Sequence, residues 1–202
     1  MNPDQISVNG PLRVGIVGPG RVGTALAGAL RDAGVEVEGP VGRGERPVGC
    51  DAILLCVPDG EIAAAAEVVT AAAPLVGHTS GATSLSALAH AGVAAFGLHP
   101  LQTVAHADVR FEGVGAAVAG STPDALAFAS GLAERLGMKP FEIDDDGRAA
   151  YHAAASVASN FLVTLQAAAE RIAAGAGLEP FEARALLAPL VRQTVENIAE
   201  LG

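Results

Sequence analysis

The chain has 202 residues, half of them hydrophobic but only 3% aromatic, with 12 Lys and Arg against 22 Asp and Glu for a formal net charge of −10. That length holds one large or two modest domains, and so acidic a balance argues against nucleic acid or an anionic membrane as partner. The polar lead Met1–Gly10 lacks the apolar stretch of a secretory signal, and the alanine-rich run over 62–77 carries Glu67 and Pro74, which disfavour a membrane span. Cys50 and Cys56 stand at neither zinc-ribbon nor redox spacing, so a reduced, cytoplasmic protein is expected.

The first element is an apolar strand over 12–17. It runs into Gly18-Pro19-Gly20-Arg21-Val22-Gly23, and a helix pattern over 21–33 closes on Gly34. Glycines spaced G-x-G-x-x-G between a strand and a helix each have a task. Gly18 makes the tight turn, Gly20 lets backbone approach a pyrophosphate, and Gly23 lets the helix pack close on the strand. The free N–H groups and positive dipole end of the helix then face the phosphates.

The rest alternates in the same way. Strands are expected over 35–41, 51–57, 75–78, 93–98, 114–119 and 139–143. Helices are expected over 61–73 with Asp59 as N-cap and Pro74 as stop, over 84–90, and from Pro123 to 136. Such alternation predicts an α/β protein with a doubly wound, mainly parallel sheet. After Asp144-Asp145-Asp146-Gly147 only helix is expected, over 148–174 and 179–201. The three aspartates read as a solvated linker and helix start rather than a metal site. The domains are therefore 1–146, a dinucleotide-binding Rossmann domain, and 147–202, a small all-helical dimerisation and substrate domain.

Five segments in this order carry a resemblance: the glycine motif, Asp51-Ala-Ile-Leu-Leu-Cys-Val-Pro-Asp59, His78-Thr-Ser-Gly81, His99-Pro-Leu-Gln-Thr103, and Tyr151-His-Ala-Ala-Ala-Ser-Val-Ala-Ser-Asn160. Together they resemble the Rossmann-like proteins with a C-terminal domain of unknown function 2520, in the 6-phosphogluconate-dehydrogenase-like superfamily. The resemblance implies a nicotinamide cofactor at the carboxyl edge of the sheet and a helical domain that dimerises. It also implies a short or truncated member, since such proteins normally run on past the second long helix.

The cofactor set expected is Gly18, Pro19, Gly20, Arg21, Val22 and Gly23 with Val57, Pro58 and Arg43. An acidic residue some 20 positions past the first glycine would hold the ribose of NAD, and Glu38 falls there. Glu36 and Glu38, however, alternate with Val35 and Val37 as a solvated strand face does. Arg43 and Arg46 follow that strand and suit a 2′-phosphate, which favours NADP over NAD.

A hydride-transfer enzyme needs a substrate held against the nicotinamide and a proton donor or acceptor. Asp59, Thr79, Ser80, His99 and Gln102 are expected at the ligand crevice. His99 follows a strand and is expected to titrate near neutrality. By resemblance to prephenate dehydrogenases, whose similar His-Pro segment contacts the substrate hydroxyl, it is the first catalytic candidate. Ser80 joins it. His152, Ser156 and Asn160 form an i, i+4, i+8 stripe on a helix. β-Hydroxyacid dehydrogenases carry a lysine where Ser156 stands, four residues before an asparagine that Asn160 matches. By that likeness Asn160 joins the site, and His99 or His152 takes the acid/base role in place of the lysine, or the chain does not catalyse. His78, His99, His106 and His152 have no zinc-like spacing, and no metal is expected.

The expected function is an NAD(P)-dependent oxidoreductase acting on a small carbonyl, imine or hydroxy acid. The alternative is a non-catalytic nucleotide-binding regulatory or scaffold protein. A small-molecule substrate and a homodimer through the C-terminal helices complete the expectations.

Overall fold

In a computed structural model, which describes residues 11–201, seven strands form one sheet in the order β2-β1-β3-β4-β5-β6-β7. The lead Met1–Gly10 and the last residue, Gly202, lie outside the described residues. The strands are β1 (Arg13–Val17), β2 (Glu36–Val41), β3 (Ala52–Leu55), β4 (Leu75–His78), β5 (Ala94–Pro100), β6 (Gly115–Gly120) and β7 (Lys139–Glu142). All neighbours pair parallel except β5 and β6, which pair antiparallel. The fold is α/β, with a mainly parallel sheet and a helical C-terminal region.

β3 shows why the centre holds. Ala52, Ile53, Leu54 and Leu55 are all fully buried, as befits a strand covered on both faces. Leu54 joins a core with α1 (Arg21–Asp32) and α3 (Pro123–Arg135), while Ile53 and Leu55 join a second core with α2 (Ile62–Val68). Gly77 on β4 makes room for the Phe96 ring, whose atoms lie 2.5 Å from where a Cβ would stand. Phe96 then meets Phe128 edge to face at 5.2 Å. Thr122 caps α3 by accepting the Ala125 N–H at 3.1 Å, with Pro123 in the first turn.

Several local expectations need correction. Asp59 does not cap a helix. Pro58 takes the N-cap position of a 3₁₀ turn, Asp59–Glu61, without any side-chain cap, and α2 follows it. α2 ends at Val68, well before Pro74, and Ala71 already has a φ of 55°. The segment Leu85–Ala91 is a 3₁₀ helix capped by Ser84. The first C-terminal helix is not continuous: α4 (Asp145–Ser156) gives way to a π turn, Val157–Phe161, before α5 (Leu162–Ala174). α6 spans Pro180–Leu201.

The aspartate run begins α4. Asp144 accepts the Gly147 N–H at 2.7 Å, and Asp145 accepts from the Arg148 guanidinium at 3.1 Å. The chain divides into two compact units, one ending at His152 and the other beginning at Ala153. In the second, Glu170 on α5 takes two hydrogen bonds of 2.9 Å from the Arg184 guanidinium on α6. Among the described residues no helix is long and apolar enough to cross a membrane.

Candidate functional site

The order β2-β1-β3 places the topological switch between β1 and β3, where open α/β sheets form a crevice beyond the carboxyl ends of their strands. A cavity of about 340 Å³ lies there, walled by Val17–Gly20, the turn Gly42–Glu45, Cys56–Pro58, Glu61 and one side of α2. The glycines explain its floor. Gly18 has φ 105°, and a Cβ on it would stand 2.3 Å from the Cys56 carbonyl oxygen. A Cβ on Gly23 would stand 2.0 Å from the Gly18 oxygen, so α1 sits directly on the turn. A Cβ on Gly20 would meet nothing within 4 Å. Gly20 lines the cavity and is the N-cap of α1, without a side-chain cap or any acidic residue in the first turn. Backbone N–H groups and the dipole end are thus unscreened where an anion would lie. This cradle fits a dinucleotide pyrophosphate.

Arg43, on the turn after β2, lines the same cavity and pairs with Glu61 at 2.9 Å. The Glu45 carboxylate closes that turn by accepting the Gly42 N–H at 2.7 Å. Glu38 faces the other way in function: with Glu36 it leans on Arg13, each at 3.7 Å, well before β2 ends. Arg21 and Val22 open α1, and Pro19 lines the cavity; Arg21 and Pro19 are exposed. Val57 and Pro58 line the cavity from the end of β3.

Further along the same carboxyl edge, β4 and β5 deliver a polar cluster. β5 continues through His99 and Pro100 because β6 pairs with them, so His99 lies within a strand and not after it. His99 Nδ1 is 2.6 Å from the Tyr151 hydroxyl, and its ring lies 6.4 Å from that of His152. Gly81 fits flush behind them: a Cβ there would stand 2.9 Å from His99 Nε2 and 3.0 Å from His152 Nδ1. Burial, with the charges of His152 and Arg148, lowers the His99 pKa to about 4. His78 is wholly buried and is also lowered to about 4, by burial first and then by Arg148. Burial pushes the Tyr151 hydroxyl up. His78 Nδ1 accepts the Ser80 N–H at 3.2 Å, so the neutral ring carries its proton on Nε2. His78 Nε2, His152 Nδ1 and Arg148 Nη2 are buried without a hydrogen-bond partner. Unpaired buried nitrogens are costly, and perturbed, unsatisfied groups of this kind are the usual candidates for a functional site.

A His99 ring lowered to about 4 is neutral at pH 7, and the Tyr151 hydroxyl lies within hydrogen-bond reach of its Nδ1. A neutral imidazole and a phenol so placed can exchange a proton.

Residues 114–202, from before β6 to the C-terminal end, match the family described as "Domain of unknown function (DUF2520)". The chain carries a C-terminal DUF2520 region on a Rossmann fold. No curated protein matches it. Solved structures do. A Bacteroides fragilis protein, provisionally designated an NADP oxidoreductase, is 19% identical with a TM-score of 0.79, over 95% of this chain and 82% of that one. Protein TM1727 of Thermotoga maritima is 22% identical with a TM-score of 0.72, over 93% and 79%. Plasmodium falciparum pyrroline carboxylate reductase, solved with NADP bound, is 12% identical with a TM-score of 0.64, over 93% and 79%. At these identities the likeness is one of fold.

The DUF2520 region supplies Arg148, Tyr151 and His152 to the cluster, while His78, Ser80 and His99 come from the preceding strands. Ser80 Oγ is used in its own turn, accepting the Ala82 and Thr83 N–H groups at 3.1 and 2.9 Å. Of the residues expected as a stripe, His152 closes the first unit, Ser156 ends α4, and Asn160 is exposed within the π turn of the second unit. Gln102 is half-buried just past β5, and His106 is exposed. Among the described residues no group of three or more His, Cys, Asp or Glu has the arrangement to hold a metal. Tyr151, Arg148 and His78 were not sequence candidates for catalysis. Tyr151 and His78 stood inside quoted motifs, but their meeting with His99 depends on tertiary contact.

Proposed function

We propose that the protein is an NADP-preferring oxidoreductase that transfers hydride between the nicotinamide and a small carbonyl, imine or hydroxy-acid substrate. The observation that carries this reading is the glycine cradle. Gly18, Gly20 and Gly23 shape the start of α1 so that its free N–H groups face a cavity of about 340 Å³ at the sheet's switch point. Gly18–Gly23, Val57 and Pro58 would hold the dinucleotide, and Arg43 its 2′-phosphate. The cofactor, when bound, supplies the hydride. The chain's own part is to orient the substrate and move one proton. Tyr151 Oη and His99 Nδ1, 2.6 Å apart, share that proton, and His152 stands beside the His99 ring. Ser80 holds the turn behind them, and Asn160 belongs to the substrate side of the helical domain, residues 147–202.

Support for a homodimer comes from the second unit. Val163, Leu165, Ile172, Phe181, Leu190 and Ile198 are all more than half exposed, and a helix pair this apolar outside calls for a partner. Two-fold pairing is the commonest form. Two free cysteines, Cys50 and Cys56, suit the reducing cytoplasm.

The test is Gly20→Val, which puts a branched side chain into the cradle while touching no protein atom within 4 Å of the Cβ. Titration calorimetry should show NADPH affinity falling more than tenfold, about 1.4 kcal/mol or more. Unchanged affinity in the folded variant rejects the reading. NADPH binding without oxidation across a panel of ketoacids and imines would instead favour a non-catalytic nucleotide-binding protein.

A further inference from the structure

The walls of the cofactor cavity carry one cation and two carboxylates: Arg43, Glu45 and Glu61. That is an unexpected balance for a pocket read as holding a polyanion. The two carboxylates are not equivalent. Glu45 is engaged with the backbone, accepting the Gly42 N–H at 2.7 Å, and so serves the turn on which Arg43 is mounted. Glu61 sits at the start of α2 across the cavity, and its Oε2 lies 2.9 Å from Arg43 Nη1. A guanidinium binds phosphate best as a two-pronged fork. Here one prong is already taken by a carboxylate, whose charge also repels any phosphate brought alongside.

We propose that Glu61 is a specificity-determining residue of this cavity. By holding Arg43 and opposing a 2′-phosphate, it restrains the preference for the phosphorylated dinucleotide. This rests on the cavity being the dinucleotide site. The pair is exposed, with Arg43 83% and Glu61 40% accessible, so the ion pair itself is weak in water and a doubly charged phosphate displaces it. The displacement leaves Glu61 facing the phosphate with its partner withdrawn. A dinucleotide with a free 2′-hydroxyl avoids both penalties, since a carboxylate accepts a hydrogen bond from a hydroxyl.

The experiment is calorimetry with NADPH and with NADH on the full chain, Glu61→Gln, Arg43→Ala and the double variant, at low ionic strength. Glu61→Gln keeps the shape and removes the charge. NADPH should bind on the order of tenfold more tightly, and NADH should change by no more than about twofold. In the Arg43→Ala background the gain for NADPH should shrink to about twofold, because the hold on Arg43 is gone and only the screened repulsion of the exposed Glu61 carboxylate remains. An equal gain for both dinucleotides, no gain for NADPH, or a full gain without Arg43 overturns the proposal. Failure of the unmutated protein to bind either dinucleotide overturns the cavity reading and the proposal with it.

Discussion

The sheet unit and the helical unit use their apolar residues in opposite ways. Up to His152 most large hydrophobics are inside: Ile16, Leu26, Leu30, Ile53, Leu54, Leu55, Phe96 and Leu98 are fully buried, with Val48, Val68 and Leu101 the exposed exceptions among the described residues. Beyond it, among the described residues, only Glu170 and Ala183 count as buried, while aliphatic and aromatic side chains line the outside of α5 and α6. The first unit is held by close packing on two sheet faces. The second is a helix hairpin pinned by the Glu170–Arg184 fork, and its apolar surface calls for another surface. The lesson is that one added methyl should break the first, whereas the second should tolerate substitution locally and fail only in association.

The largest effect is expected in the sheet unit. Gly23→Ala puts a Cβ 2.0 Å from the Gly18 carbonyl oxygen, a backbone atom that cannot swing aside. Overpacking of that kind should cost about 3 kcal/mol or more, read as a lower urea midpoint. A midpoint unchanged from the parent protein would break the comparison.

The second is set by pH. An unfolded histidine titrates near 6.5, whereas folded His78 and His99 titrate near 4. Between those values the unfolded chain binds more protons, so stability rises with pH. The contribution is complete above about pH 6.5 and is lost as pH falls towards 4, as much as about 3 kcal/mol for buried His78. Denaturant midpoints from pH 7.5 to 4.5 should fall accordingly, and less steeply in His78→Asn. A flat profile would show the histidines to be solvated.

The smallest belongs to the helical unit. Leu190→Glu, at a position 64% exposed, should leave helix content intact and weaken self-association by about 2 kcal/mol. Light scattering against concentration checks it. A monomeric parent protein, or a variant that unfolds, would sharpen the comparison against dimerisation.

The parts legible in the sequence were those governed by neighbours along the chain. The strand, glycine turn and helix from Arg13 to Asp32 follow from local spacing, and Thr122-Pro123 marks α3 by capping chemistry alone. What escaped was decided at a distance. His99 lies within β5 rather than after it because β6 pairs with it and Pro100, and nothing local in the sequence shows that pairing. The end of α2 escaped because an alanine-rich run carries no stop signal before Pro74. The π turn left no mark either, although Asn160 stands within it. At the site, the histidines were visible by type, but Tyr151 became a candidate only when α4 laid its hydroxyl against His99.

That contact also makes the protein its own spectrometer. The sequence has one tyrosine and no tryptophan, so all tyrosine emission arises from the ring whose hydroxyl meets the imidazole of His99. No background from other indoles or phenols dilutes it. A reduced nicotinamide absorbs where tyrosine emits, so a dinucleotide bound along the same sheet edge would dim that single emitter in proportion to occupancy. The unmodified chain thus carries an optical gauge placed at its own candidate proton-transfer pair.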